Sequence, residues 1–499
     1  MASSLSMIIS VITDPMCIFL TFVGTFMGLI FGSLPGLSST MGVALLVPIT
    51  FTLPHVHALG MMLGVYVGGI AGGAVSAILL NIPGTPSAVV TTIDGYPMAR
   101  KGQAAKALGW AVTASFFGGF ISWAILVTVA PRIARYALKF GPPEYAALAF
   151  FGLMIISSVS GKSLIKGIIS GLIGVWLSVI GVDPILGDFR FTFDNVNLMS
   201  GIAIMPALIG FYAIPQIIGG ATDRLSADVD GQKVSLRNFI PSIVEVWRSK
   251  LAIMISSIIG TFIGMVPATG GNIAAFLAYD QVKRVSKKPE EFGKGRHEGV
   301  IASEAANNGV TGGALIPLLT LGIPGDSVTA VLLGGLMIHG LQPGPELFTK
   351  NTDIIMGIFT TLLIANVFMA VIQFVGIRFF VQILKVSMNY LTPILVILSV
   401  IGSYALRNNA FDVWITILLG LFGYLMVRGG FPMAPTVLGL VLGPMLESEM
   451  RRSLVLSGGQ WSVFFTRPIS AFFIAISALI IISTAVKKMK KSKSPESAV

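Results

Sequence analysis

The sequence predicts an all-α polytopic membrane protein, with about 10–12 membrane elements in two inverted repeats containing Pro/Gly-broken helices or re-entrant hairpins. Three observations lead there. The 499 residues are 54% hydrophobic and 11% charged with a mean hydropathy of +0.86, against roughly 25% charged in an average soluble domain. Apolar runs recur at Phe19–Phe31, Leu108–Ala130, Ile168–Val182, Leu251–Val266, Ile354–Val375 and Ile469–Val486, the longest able to span a bilayer unaided. One interrupted stretch also occurs twice. Gly72-Gly73 leads through an apolar run into Asn81-Ile82-Pro83-Gly84-Thr85-Pro86-Ser87, and Gly312-Gly313 leads into Gly322-Ile323-Pro324-Gly325-Asp326-Ser327, one residue longer. Pro lacks an amide hydrogen and Gly admits non-helical angles, so each run ends by freeing carbonyls and presenting new amides.

Taken in order, the first half opens with Cys17–Phe31, breaks at Gly32-Ser33-Leu34-Pro35-Gly36-Leu37-Ser38-Ser39, and resumes from Thr40 to Phe51. Its counterpart is Gly264–Asn272, between Leu251–Ile263 and Ile273–Tyr279. Each half therefore carries two breaks, the second half holding a longer polar insert between its own. Later segments correspond too. Tyr145–Val182 and Tyr390–Phe431 each read as span, polar turn and span, the turns being Ser160–Ser163 and Ser403–Asn409. The expected division is a first transmembrane repeat over 16–220, a cytoplasmic link over 221–250, a second repeat over 251–488 and a basic cytoplasmic tail over 489–499. Met1–Ser10 has no basic region and no small-residue cleavage site, so the first apolar segment is expected to be retained.

Loop charge sets the halves in opposite orientations. Leu53–Gly60, between the first-half breaks, has no Lys or Arg, whereas Arg100, Lys101 and Lys106 follow the second break. In the second half the basic residues (Lys283, Arg284, Lys287, Lys288, Lys294, Arg296) lie between the breaks, and only Lys350 follows. Link and tail are basic, and Asp183–Asp194 is acidic and reads as external, while Arg132, Arg135 and Lys139 dissent from this scheme. The net charge of +11 is thus a positive-inside bias and not a nucleic-acid face.

A helix end carries the equivalent of about half a positive charge and free amides, so it can hold a carboxylate without a buried Lys or Arg. The candidate substrate-binding residues are Asn81, Pro83, Gly84, Thr85 and Ser87 at the first Ile-Pro-Gly break, and Asn307, Asn308, Pro324, Gly325 and Ser327 around the second. Asp326, with Ser327, is the candidate for a coupling cation, Na⁺ or H⁺, because an acid at membrane depth is a functional candidate. Its competing role is a helix cap accepting from amides of the next turn. Glu304 and Asp280 flank the polar insert and are expected at the membrane surface.

Enzyme signals fail on inspection. Gly161-Lys162-Ser163 resembles the end of a phosphate loop, but position 156 is Ile where a Gly is required. His55, His57, His297 and His339 are dispersed, and a single cysteine, Cys17, rules out an internal disulfide framework and any multi-cysteine metal site. No cofactor is expected beyond the coupling ion.

At these stretches the chain resembles a known family. Gly32–Gly36 with Pro48–Phe51, Asn81–Ala88 with Asp94-Gly95-Tyr96-Pro97, Glu304–Asn308, Gly322–Gly325, Gly340–Pro345 and Leu442-Gly443-Pro444 with Glu447 strongly resemble the large membrane subunit of the tripartite tricarboxylate transporters. The resemblance covers about residues 15–470. It implies a multi-pass protein of the bacterial inner membrane, embedded in lipid, working with a small four-span membrane subunit and a periplasmic substrate-binding protein. It further implies ion-driven import of citrate-like tricarboxylates or related carboxylates. A self-sufficient carboxylate or ion exchanger needing no binding protein is the alternative, and a membrane-embedded enzyme lacks any paired nucleophile and base.

Overall fold

A computed structural model describes residues 2–159, 163–183, 185–222, 239–267, 269–386 and 388–492. The turn at 160–162, most of the link (223–238) and the end of the tail (493–499) lie outside the described residues. Apolar runs satisfy their own amides and carbonyls in lipid by forming helix, and helices account for nearly all regular structure among the described residues.

The first half runs α1 (Ala2–Thr13), α2 (Pro15–Ser33), α3 (Ser39–Thr50), α4 (His55–Leu80), α5 (Val89–Met98), α6 (Ala104–Ala137), α7 (Pro142–Val159) and α8 (Leu164–Ser178). A small hairpin, β1 (Gly181–Val182) with β2 (Phe189–Arg190), then α9 (Val196–Met199) and α10 (Ile204–Thr222) complete it. The second half runs α11 (Ile243–Arg248), α12 (Lys250–Met265), α13 (Gly270–Val285), α14 (His297–Leu321), α15 (Ser327–Ile338), α16 (Leu347–Lys350) and α17 (Thr352–Ile383). It ends with α18 (Met388–Ala405), α19 (Ala410–Arg428), α20 (Met433–Leu456), α21 (Val463–Thr466) and α22 (Pro468–Ser492). Five helical stretches of the described residues are long and apolar enough to cross a membrane, and several shorter apolar helices accompany them. The chain is an all-α polytopic membrane protein.

One sequence expectation is corrected. The apolar run Ile168–Val182 does not stay helical, because α8 stops at Ser178 and Gly181, at φ +123°, starts the hairpin. The helix α22 runs to Ser492.

The halves are interlaced. α2 packs on α4 as α12 packs on α14, and the long helix that follows each pair crosses to the other half: α6 packs against α12 and α14, and α17 against α2 and α4. Likewise α7 and α8 pack on α20, while α18 and α19 pack on α10. Small residues permit the close crossings, as in other membrane bundles. A Cβ on Gly28 would lie 2.4 Å from the Val65 carbonyl oxygen, and one on Gly260 would lie 2.2 Å from that of Ala306. Gly72 abuts the carbonyl of Leu29 in the way that Gly313 abuts that of Thr261.

These contacts fix the register between the halves. The same sequence step separates Gly72 from Gly313, Asn81 from Gly322, Gly84 from Gly325 and Thr85 from Asp326. Asn81 and Gly322 both end their helices in the left-handed region, at φ 60° and 72°. Gly84 presses on the Gly32 carbonyl as Gly325 presses on that of Gly264. The two double glycines are therefore out of step by one, Gly313 alone answering Gly72, and the extra residue of the second stretch precedes Gly313.

Candidate functional site

Both Ile-Pro-Gly breaks and both earlier breaks open onto one cavity of about 450 Å³, within the usual range for small-molecule sites. Four segments point their N-terminal ends into it: α3 with Ser38–Thr40, the turn Pro86–Ala88 that continues as α5, α13 with Thr269–Ile273, and α15 with Asp326–Val328. Tyr212 of α10 and Met433, Ala434 and Leu438 of α20 complete the wall. Each N-terminus contributes unsatisfied amides and a positive dipole end. The cavity therefore holds oriented positive potential without a Lys or Arg in its lining.

The four ends differ in what already occupies them. On one side Ser38 accepts from the Met41 amide (3.2 Å), and Asp326 accepts from the Thr329 amide (2.7 Å) and hydroxyl (2.8 Å) while its own amide donates to that hydroxyl (2.9 Å). The second Asp326 oxygen accepts from the Tyr66 hydroxyl at 2.7 Å. Both ends are thus capped by side chains of the chain itself. On the other side Thr85 makes no capping bond and Thr269 turns its hydroxyl back onto the carbonyls of Ile263 and Val266. Neither the end at Thr85 nor the start of α13 carries a side-chain cap.

Asn307 adjoins this uncapped side. It is fully buried, and neither its amide oxygen nor its amide nitrogen has a hydrogen-bond partner. A Cβ on Gly271 would strike its Oδ1 at 2.5 Å and the Ser87 Cβ at 2.7 Å, so Asn307 and Ser87 both pack against Gly271. A buried amide left unpaired is unfavourable, and a carboxylate entering beside Ser87 is a natural acceptor for its NH₂ group.

The family model for tripartite tricarboxylate transporter TctA proteins matches residues 18–438. The chain belongs to the tripartite tricarboxylate transporter TctA family. A 52.8 kDa protein of Agrobacterium vitis, described as uncharacterised and located in the TAR-I ttuC' 3' region, is 36% identical over 491 residues, covering 98% of this chain and 97% of the relative. A second protein of that organism, also described as uncharacterised and located in the TAR-II ttuC' 3' region, is 36% identical over 234 residues, covering 47% of this chain and 97% of the relative. No solved structure matches. This TctA-family chain is a membrane transporter component.

Of the residues singled out in this TctA-family sequence, Thr85, Ser87, Asp326 and Ser327 line the cavity and Asn307 sits against it. Pro83, Gly84, Pro324 and Gly325 shape the breaks and are absent from the lining, and Asn81 is an exposed helix terminus. Asn308 faces another way, its amide donating to Ser115 Oγ (2.7 Å) and to the Glu304 carbonyl (3.1 Å). Glu304 corrects an expectation. It is wholly buried between α14, α5 and α6 and not at the membrane surface, since a continuous helix carries it inward from the basic insert. Asp280 is exposed and pairs with Arg284. Sequence reasoning did not pick Ser38–Thr40, Thr269–Ile273, Tyr66 or Tyr212 as site residues. The first two groups lie at the Pro35 and Pro267 breaks, so the repeated break was the available signal; Tyr66 and Tyr212 sit in unbroken apolar helices with no local mark.

Proposed function

We propose that this chain is the large membrane subunit of a binding-protein-dependent secondary transporter that imports tricarboxylates or related carboxylates by ion-coupled alternating access. The single observation that carries the reading is the cavity with four converging N-termini, two of them uncapped and flanked by the unpartnered Asn307 amide. The substrate carboxylates sit at the uncapped side, against Thr85, Ser87, the start of α13 and Asn307. The coupling cation, Na⁺ or H⁺, is taken at Asp326 with Ser327, across the cavity. Charge requires such a cation, because moving a net anion inward against a negative-inside potential costs about 2.3 kcal/mol per charge per 100 mV.

Two similarly built halves that meet at one site suit alternating access, each half exchanging its arrangement with the other. The proposal includes two inverted repeats with the link and tail on the cytoplasmic side of a bacterial inner membrane. It also includes a small four-span membrane subunit and a periplasmic substrate-binding protein as partners, as family membership implies. The test is uptake of citrate and other di- and tricarboxylates into vesicles containing this chain, with and without the two partners. Uptake only when all three proteins and an ion gradient are present is the expected result. Uptake by this chain alone would overturn the tripartite reading in favour of a self-sufficient exchanger.

A further inference from the structure

The mechanism proposed above leaves Glu304 unused. Its carboxylate is entirely buried and its partners are hydroxyls rather than cations: Thr91 donates to Oε1 at 2.5 Å and Ser115 to Oε2 at 3.2 Å. Ser115 in turn accepts from the Asn308 amide, and the Thr91 hydroxyl lies 2.9 Å from that of Ser303. An acid placed so deep in a membrane bundle without a charge partner is unfavourable when ionised.

Its position relative to the cavity is defined by two antiparallel rungs. Ser87 and Asn307, both packed against Gly271, mark the upper one at the cavity; four residues on from Ser87 is Thr91, and three back from Asn307 is Glu304, bonded to each other. Residues at that spacing are neighbours along a helix face, so the carboxylate lies one helical turn beneath the uncapped side. In the other half the positions answering Glu304 and Thr91 are Leu63 and Leu332, both buried. The fold builds this layer from leucines there, so packing does not call for an acid.

Titratable groups on the packed elements are engaged elsewhere. Asp94, a turn further along α5, accepts from the amides of Gly293, Gly295 and Arg296 and from Tyr279 of α13. Lys106 of α6 pairs with Glu245, Glu298 at the head of α14 with Arg296, and Tyr66 of α4 with Asp326, while His297 stacks on Trp110.

We propose that Glu304 is a proton-binding site of the carrier, linked to the anion subsite one turn above it. The proton passes from water in the cavity to the Glu304 carboxylate past the Ser87 and Thr91 hydroxyls; no covalent bond other than the O–H is made. A substrate carboxylate beside Ser87 and Asn307 repels the ionised form and so favours the protonated one, and by reciprocity the proton tightens anion binding. This linkage rests on the substrate placement proposed above. It supplies a charge-neutralising site in addition to Asp326, which a substrate with several carboxylates needs.

The test is an infrared titration of the full-length protein in lipid vesicles, first without substrate and then with citrate. Wild type is expected to show a buried carboxylic-acid band that grows on acidification and has a component missing from Glu304→Gln. Citrate at constant pH is expected to enlarge that band with uptake of about one proton per citrate bound. Thr91→Val keeps the acid but removes a donor to its charged form, and is expected to raise its proton affinity by up to roughly tenfold. A band that is undiminished in Glu304→Gln, or a Glu304 component that does not move in Thr91→Val, overturns the proton site. Citrate binding that leaves the band unchanged overturns the linkage. If neither citrate nor any other carboxylate binds, the substrate placement falls and the linkage with it, while the substrate-free titration still decides the proton site.

Discussion

Thr85 and Asp326 occupy equivalent positions in the two halves, each immediately after an Ile-Pro-Gly break and before a helix that starts at the cavity wall. Asp326 caps its own helix and is held by Tyr66, whereas the Thr85 side chain caps nothing and its hydroxyl lies 3.2 Å from that of Ser87. The residue answering Tyr66 is Asn307, whose amide is free. The cavity thus has two chemically opposite sides, one bearing a carboxylate and one bearing unfilled donors.

Asp326→Asn is expected to remain folded and inserted, because Asn caps a helix about as well as Asp. Uptake should fall and its dependence on the ion gradient should weaken. Asp326→Ala should in addition lose about 1 kcal/mol of stability with the cap. Transport assays in vesicles alongside thermal unfolding check this; unchanged ion dependence in the Asn variant would leave Asp326 a cap alone.

Asn307→Ala should weaken carboxylate binding by about tenfold to a hundredfold, the worth of a hydrogen bond to a charged group at about 1.5–3 kcal/mol. Asn307→Asp should abolish it by placing a negative charge beside Ser87. Calorimetric titration of the purified variants with the transported carboxylate measures both.

Gly28→Ala and Gly260→Ala should destabilise by similar amounts, about 1–3 kcal/mol each. In both the new methyl would collide with a backbone carbonyl oxygen, of Val65 or of Ala306, which has no rotamer by which to withdraw. Unfolding of the two variants in matched detergent tests whether the helix crossings are equivalent; a marked difference would count against it.

The hairpin after α8 is pinned by charge. Asp183 accepts from Arg451 Nη1 at 2.7 Å and from the amides of Ile185 and Leu186, and Arg190 pairs with Glu447 at 2.5 Å. The Arg451 guanidinium holds the Asp183 carboxyl well below the usual carboxylate range. A depressed folded-state value means that this stabilisation is present at neutral pH and fades as pH falls below about 3.9, the unfolded value. Asp183→Asn should therefore lower the melting temperature at neutral pH, and the difference from wild type should shrink on strong acidification.

What the sequence determined by itself was the class of protein and the places where the chain breaks. Apolar runs must be helical in lipid, and Ile-Pro-Gly removes a donor and releases the backbone wherever it stands, so these features are local and readable. Thr85, Ser87, Asp326 and Ser327 were legible for that reason. Tertiary structure decided which ends share a cavity, which are capped and where the acids lie. Tyr66 meets Asp326 across the two halves, and Asn307 packs against Gly271 beside the cavity while its neighbour Asn308 turns towards Ser115. Glu304 follows a basic insert closely in sequence, yet the crossing of α6 over α14 buries it. Such facts depend on how helices from opposite halves interlace, and no local pattern of residues records the packing of a distant partner.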